Sequence, residues 1–184
     1  MRRAHPTLLW GGALLIASAM ADLVALAVAS RLTWRSGIEY VPAAVPPTLF
    51  LVACCVFALG VGGSEGMVGR NGWARAILIA GGICGAFGGW FAVFGGTTEQ
   101  PLLFGVAVIL ALLTPALLSG SSLIVAWSGS GLGAWRFAPL LAMAAGMLTV
   151  FLPPGSWPLP ALLRAAILSC LGVIAVLLGC RTPR

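Results

Sequence analysis

Asp22 is an acidic residue inside a long apolar stretch of this sequence, which extends over residues 7–29. An aspartate at the centre of a bilayer costs about 2.5–3.5 kcal/mol on insertion scales, so it is a functional candidate by default. Ser18 lies one turn earlier and therefore on the same face of a helix. Asp22 and Ser18 are the first candidates for a buried polar or ion-coupling site.

Arg164 is the natural partner for this acid. It lies near the start of the last apolar stretch, residues 161–180, and its side chain is long. At 1.5 Å per residue, Asp22 lies about 10 Å from the end of the first stretch, so the two charges fall at similar depth. An ion pair is the natural way to hold both in lipid. Three interpretations remain open for Asp22: a structural pair or polar anchor, a proton- or cation-coupling carboxylate, and an acid reached by water from a short, tilted or partly cleaved first helix.

The fourth apolar stretch carries a proline near its middle. Thr114 and Pro115 stand there, and Ser119 and Ser122 follow. Proline removes one backbone hydrogen bond and predicts a kink. Hydroxyl groups can satisfy the freed carbonyls. Interrupted helices also mark transporter sites, so a kink that lines a polar cavity is the functional alternative.

Small residues four apart permit close approach of helices in lipid. Gly81, Gly85 and Gly89 form such a stripe on the third apolar stretch. A second stripe on the first stretch includes Ala17, Ala21 and Ala25. Both predict helix interfaces. The ordinary interpretation is contact within one chain, and the alternative is that the glycine face joins two subunits.

The remaining reactive residues do not form a known catalytic or metal-binding pattern. The five cysteines lack the spacing of redox or zinc motifs. His5 is the one histidine, and it precedes the first apolar stretch. We therefore predict no catalytic residues, no metal, no cofactor and no enzymatic activity.

The composition indicates whether these residues are surrounded by water or by lipid. Of 184 residues, 60% are hydrophobic and only 8% are charged, whereas a soluble domain carries about 25% charged residues. The net charge of +6 comes from arginines scattered at the edges of apolar stretches. This scatter argues against a nucleic-acid-binding face, which needs clustered bases. The predicted partner is the lipid bilayer.

The chain divides into six apolar stretches that could cross a bilayer, each close to the 20 residues that a span needs. They cover residues 7–29, 47–63, 73–94, 102–126, 134–152 and 161–180. The sequence thus predicts an all-α, polytopic transmembrane bundle that forms one integral membrane domain over residues 1–184, without a soluble domain. Arginines set the orientation, because they accumulate on the cytoplasmic side. With both termini cytoplasmic, seven of them fall inside (Arg2, Arg3, Arg70, Arg75, Arg136, Arg181 and Arg184) and three outside (Arg31, Arg35 and Arg164).

The N-terminus has a competing interpretation. Arg2 and Arg3, the apolar residues 8–16 and the Ala19-Met20-Ala21 sequence together resemble a signal peptide cleaved before Asp22. The apolar stretch continues past that point through residues 23–29. An uncleaved first helix is therefore the favoured interpretation.

Two functions follow as expectations. The first is a small transport-type protein of a bacterial cytoplasmic membrane, oligomeric, with Asp22 and the kinked fourth span near the pathway. The second is a non-catalytic accessory or assembly subunit that packs its glycine and alanine faces against other membrane chains. The few polar groups in the spans favour the second, whereas Asp22 and Pro115 favour the first.

Overall fold

Five α-helices make up the computed structural model, which describes residues 5–29, 40–62, 66–69, 71–98, 101–127 and 159–181. In chain order the helices are α1 (Pro6–Ala29), α2 (Tyr40–Leu59), α3 (Gly72–Thr98), α4 (Pro101–Trp127) and α5 (Leu159–Arg181). All of them except α2 contain a segment long and apolar enough to cross a membrane, and α2 carries a shorter apolar segment, Ala43–Leu59. The helical fold of the described ranges and its compatibility with a membrane are therefore confirmed. The predicted span over residues 134–152 lies outside the described residues.

The helices pack in the order α5, α1, α2, α3, α4, with each one against the next. The first and last helices of the chain are thus neighbours and run antiparallel. At one end the backbone N–H of His5 donates to the carbonyl of Gly179 at 2.9 Å. Toward the opposite end, α1 and α5 meet again at Asp22 and Arg164.

The main core lies where α1 meets α5 and α2. Lipid tails are as apolar as these side chains, so close packing rather than water exclusion holds the helices together. Small residues allow that packing, and Ala19 and Ala53 are fully buried. The buried residues of this core are Leu8, Leu15, Ala19, Ala53, Phe57, Ala165, Leu168, Leu171 and Ala175.

The prediction for the second span was wrong at both ends. Helix α2 begins at Tyr40 and contains Pro46 and Pro47 in its interior, whereas the sequence pattern placed the start at Pro47. The helix stops at Leu59 because Gly60 adopts a φ of 84°, a left-handed conformation typical of the residue that follows a helix. The N–H of Gly60 donates to the carbonyl of Val56 and closes the last turn.

The connection from α2 to α3 folds back against the end of α2. The N–H of Met67 donates to the carbonyl of Phe57 at 2.7 Å. Asn71 then caps α3, because its Oδ1 accepts the N–H of Ala74 at 3.2 Å. Arg75 turns back, and its Nε donates to the carbonyl of Gly69 at 2.8 Å. These bonds fix the start of α3 beside the end of α2.

Candidate functional site

Asp22 and Arg164 form a two-point ion pair between the first and last helices. Nε of Arg164 donates to Oδ2 of Asp22 at 2.9 Å, and Nη2 donates to Oδ1 at 2.6 Å. Such a fork fixes the orientation of both groups as well as their distance. The Asp22 side chain is only 12% exposed and that of Arg164 is 52% exposed. The structure therefore brings together the two residues that the sequence placed at equal depth.

Two glycines set the distance between the helices that carry this pair. A Cβ built on Gly12 would lie 2.6 Å from the carbonyl oxygen of Gly172, and a Cβ built on Gly172 would lie 2.7 Å from that of Gly12. The backbones of α1 and α5 are thus nearly in contact. Asp22 follows Gly12 by about 15 Å along α1. This crossing was not predicted from the sequence, because neither Gly12 nor Gly172 belongs to a four-residue repeat of small residues.

Ser18 lies apart from the ion pair and faces α2. It is buried, and its hydroxyl donates to the carbonyl of Pro46 at 2.9 Å. Two further side chains bond to the carbonyl of Ala44 nearby: the indole N–H of Trp90 from α3 at 3.3 Å and the hydroxyl of Thr48 at 2.7 Å. The bonds from Ser18 and Trp90 therefore hold the proline-containing part of α2 against α1 and α3.

Ser18→Ala is expected to destabilise the bundle by about 0.6 kcal/mol and at most about 1.7 kcal/mol, the range measured for hydrogen bonds between membrane helices. The carbonyl of Pro46 loses the hydroxyl that it accepts from α1. Thr48→Val is the matched control, since the Ala44 carbonyl keeps its bond from Trp90. Unfolding in mixed detergent micelles measures both variants. An equal loss of stability in Ser18→Ala and Thr48→Val would contradict a specific role for Ser18.

The predicted cavity residues of the fourth span bond within their own helix. The hydroxyl of Thr114 donates to the carbonyl of Leu110 at 2.8 Å, and that of Ser122 donates to the carbonyl of Leu118 at 2.9 Å. Helix α4 includes Pro115, which is buried, and Ser119 is half-buried. The structure does not bring these residues together with Asp22, which packs with α5.

The glycine stripe of α3 lies against other helices of the same chain. A Cβ on Gly81 would lie 3.0 Å from Leu118 of α4. On Gly85 it would lie 2.8 Å from the ring of Phe50, and on Gly89 2.9 Å from Pro47, both in α2. The stripe thus works as contact within one chain, the ordinary interpretation of the pattern.

The alanine stripe of α1 does not form a single packed face. Ala17 is exposed, and Ala21 and Ala25 are only half-buried. The helix turns about 100° per residue, so a four-residue repeat drifts by about 40° at each step. The residues of α1 that contact α5 instead recur at alternating intervals of four and three residues. They are Leu8, Gly12, Leu15, Ala19 and Asp22. Ala17 therefore lies outside the α1–α5 contact in the part of the chain that the structure describes.

The cysteines and His5 occupy separate places. Cys54 is buried between α2 and α3, with its Sγ 3.3 Å from a Cβ built on Gly82. Nδ1 of His5 is buried without a hydrogen-bond partner among the described atoms. Within the described ranges, no group of three or more His, Cys, Asp or Glu side chains could hold a metal ion.

Comparison with known proteins identifies no relative of this chain. No family model, no curated protein and no solved structure matches this chain.

Proposed function

We propose that this chain is a non-catalytic accessory or assembly subunit of a bacterial cytoplasmic membrane. The observation that carries the proposal is the pairing of Asp22 with Arg164. An acid that couples ion movement has to exchange partners, whereas this one is held at two points by a neighbouring helix. The hydroxyls of Ser18, Thr114 and Ser122 also bond to backbone carbonyls. The polar groups thus stabilise packing.

The proposed topology is six crossings with both termini cytoplasmic. Helix α4 ends near the beginning of α3, since Ile124 packs against the cluster of Val68 and Ala74. The first residues of α5 lie toward the opposite end, beside the second half of α1. A further crossing over residues 134–152 would join the two ends. The excess of arginines on the inner side supports the orientation.

Transport is the second candidate, and one observation favours it. The Asp22 carboxylate lies well inside a helix long and apolar enough to cross a membrane. Acids at such positions often serve proton or cation relays. In this alternative Arg164 would release Asp22 during each cycle. The predicted homo-oligomer of this chain belongs to the transport alternative.

Ion flux into proteoliposomes separates the two functions. We expect vesicles that contain the purified chain to take up protons, Na⁺ and K⁺ no faster than protein-free vesicles. Asp22→Asn should leave these rates unchanged, because the carboxylate serves packing. A pH-sensitive dye and isotope uptake provide the readouts. Flux that exceeds the empty vesicles and disappears in Asp22→Asn would contradict the accessory function and favour transport.

Photocrosslinking in native membranes tests the accessory role itself. A photoreactive side chain at Met20 or Val24, both more than half exposed on α1, should give one discrete adduct with another membrane chain. The same group at Leu15, which is buried against α5, is the matched control and should give none. Absence of an adduct at both exposed positions would contradict the proposal.

A further inference from the structure

The guanidinium of Arg164 has more donors than the ion pair uses. Arginine carries five N–H groups. One on Nε and one on Nη2 bond to Asp22. Three remain, two on Nη1 and one on Nη2, and among the described residues none of them has a bonded acceptor. These three donors form the outward edge of the group, in keeping with a side chain that is 52% exposed.

This outward edge lies close to the end of the bundle where α5 begins. Arg164 follows Leu159, the first residue of α5, by about 7.5 Å along the helix. Leu159, Leu162 and Leu163 around it are all exposed. In a chain embedded in lipid, these leucines mark a surface that contacts acyl chains. The edge of Arg164 thus lies just below the level of the headgroups.

An acceptor from outside the described chain is needed at that depth. An unsatisfied N–H in hydrocarbon costs several kcal/mol, and arginine side chains near helix ends reach toward the interface. Phosphate oxygens match the planar fork of a guanidinium and accept two parallel bonds from it. Asp22 holds that fork in one orientation, so the free edge is fixed in direction before a ligand arrives.

We propose that the outward edge of Arg164 binds the phosphate group of a membrane phospholipid, with Asp22 as the residue that positions it. The ion pair is neutral as a whole, so recognition depends on hydrogen bonds to phosphate rather than on attraction of a net negative charge. Anionic and zwitterionic phospholipids therefore both fit the site. This inference is independent of whether the chain is an accessory subunit or a transporter.

Phospholipid retained through detergent exchange tests the site. The protein is reconstituted with dioleoyl-phosphatidylglycerol, re-extracted, and its bound lipid is measured by mass spectrometry. We expect the wild-type chain to keep bound phospholipid. The double variant Asp22→Asn/Arg164→Gln should lose it. This variant leaves no unpaired charge, so it is chosen to fold without the guanidinium, and its size-exclusion profile verifies that.

Three comparisons complete the experiment. Asp22→Asn keeps the guanidinium but frees its orientation, so it should retain less phospholipid than the wild type and more than the double variant. Retention by either variant at the wild-type level would overturn the proposal. A phosphate-free glycosyl diacylglycerol, offered in place of phosphatidylglycerol, should not be retained, and its equal retention would also overturn the proposal. Inorganic phosphate distinguishes the source: it should not displace the lipid, and displacement would mean that the site takes free phosphate instead of a headgroup.

Discussion

Replacing Arg164 with glutamine is expected to destabilise the bundle by up to about 2.5–3.5 kcal/mol, since a lone aspartate costs that much at the membrane centre. The Asp22 side chain is only 12% exposed, so it cannot recover solvent when the fork of Arg164 is removed. The neutral amide of glutamine can replace at most part of the two hydrogen bonds. The loss should appear as a lower unfolding midpoint in mixed micelles and a smaller folded fraction on size exclusion.

Substitution of Asp22, the other member of the ion pair, serves as the control for this effect. Asp22→Asn leaves Arg164 unpaired, but that side chain is already half exposed and can extend toward the headgroups. Its cost should therefore be clearly smaller than that of Arg164→Gln. If the two single variants lose the same stability, or if Asp22→Asn loses more, the assigned burial of the pair is incorrect.

Gly172→Ala is expected to cost about 1–3 kcal/mol, the usual penalty for an added methyl group in a packed contact. The new Cβ would lie 2.7 Å from the carbonyl oxygen of Gly12 and 2.6 Å from the side chain of Ile16. A backbone oxygen cannot rotate away, so α1 and α5 have to separate. Because the crossing also sets the geometry of the ion pair, the variant should weaken the bond between Asp22 and Arg164 as well.

Gly105→Ala is the matched control for this substitution. Gly105 lies within α4, and a Cβ built on it meets nothing within 4 Å. The higher helix propensity of alanine should leave stability unchanged or raise it by up to about 1 kcal/mol. Unfolding in mixed micelles compares the two variants. A loss at Gly105 equal to that at Gly172 would mean that glycine content, rather than the α1–α5 crossing, determines the effect.

Four of the predicted spans agree closely with helices of the structure. The bounds of α1, α3, α4 and α5 lie within a few residues of the predicted spans, because a run of apolar residues has one low-energy state in lipid, the helix. The bounds of α2 were predicted wrongly because prolines interrupt its apolar stretch. Pro46 and Pro47 look like a boundary in sequence, yet α2 passes through both, and the side chains of Ser18 and Trp90 bond to carbonyls in this part of the helix. Such tertiary hydrogen bonds have no local signal.

Part of the candidate site could also be predicted from the sequence. Depth in a bilayer follows from a constant rise per residue, so Asp22 and Arg164 could be matched across 142 positions of sequence. The face of a helix that meets a neighbour is harder to predict. Ala17 lies outside the packed face, and Gly12 and Gly172 make the closest crossing. The side of a helix that is packed depends on which helices become neighbours.

The double variant Asp22→Asn/Arg164→Gln tests whether this ion pair joins α1 to α5. Its stability, compared with the wild type and the two single variants, gives the coupling energy between the residues. Groups in contact couple by about 0.5–3 kcal/mol, whereas independent sites add within about 0.3–0.5 kcal/mol. We predict coupling of at least about 1 kcal/mol, with the double variant more stable than Arg164→Gln alone. Stability costs of the two single variants that simply add in the double variant would contradict the ion pair between α1 and α5.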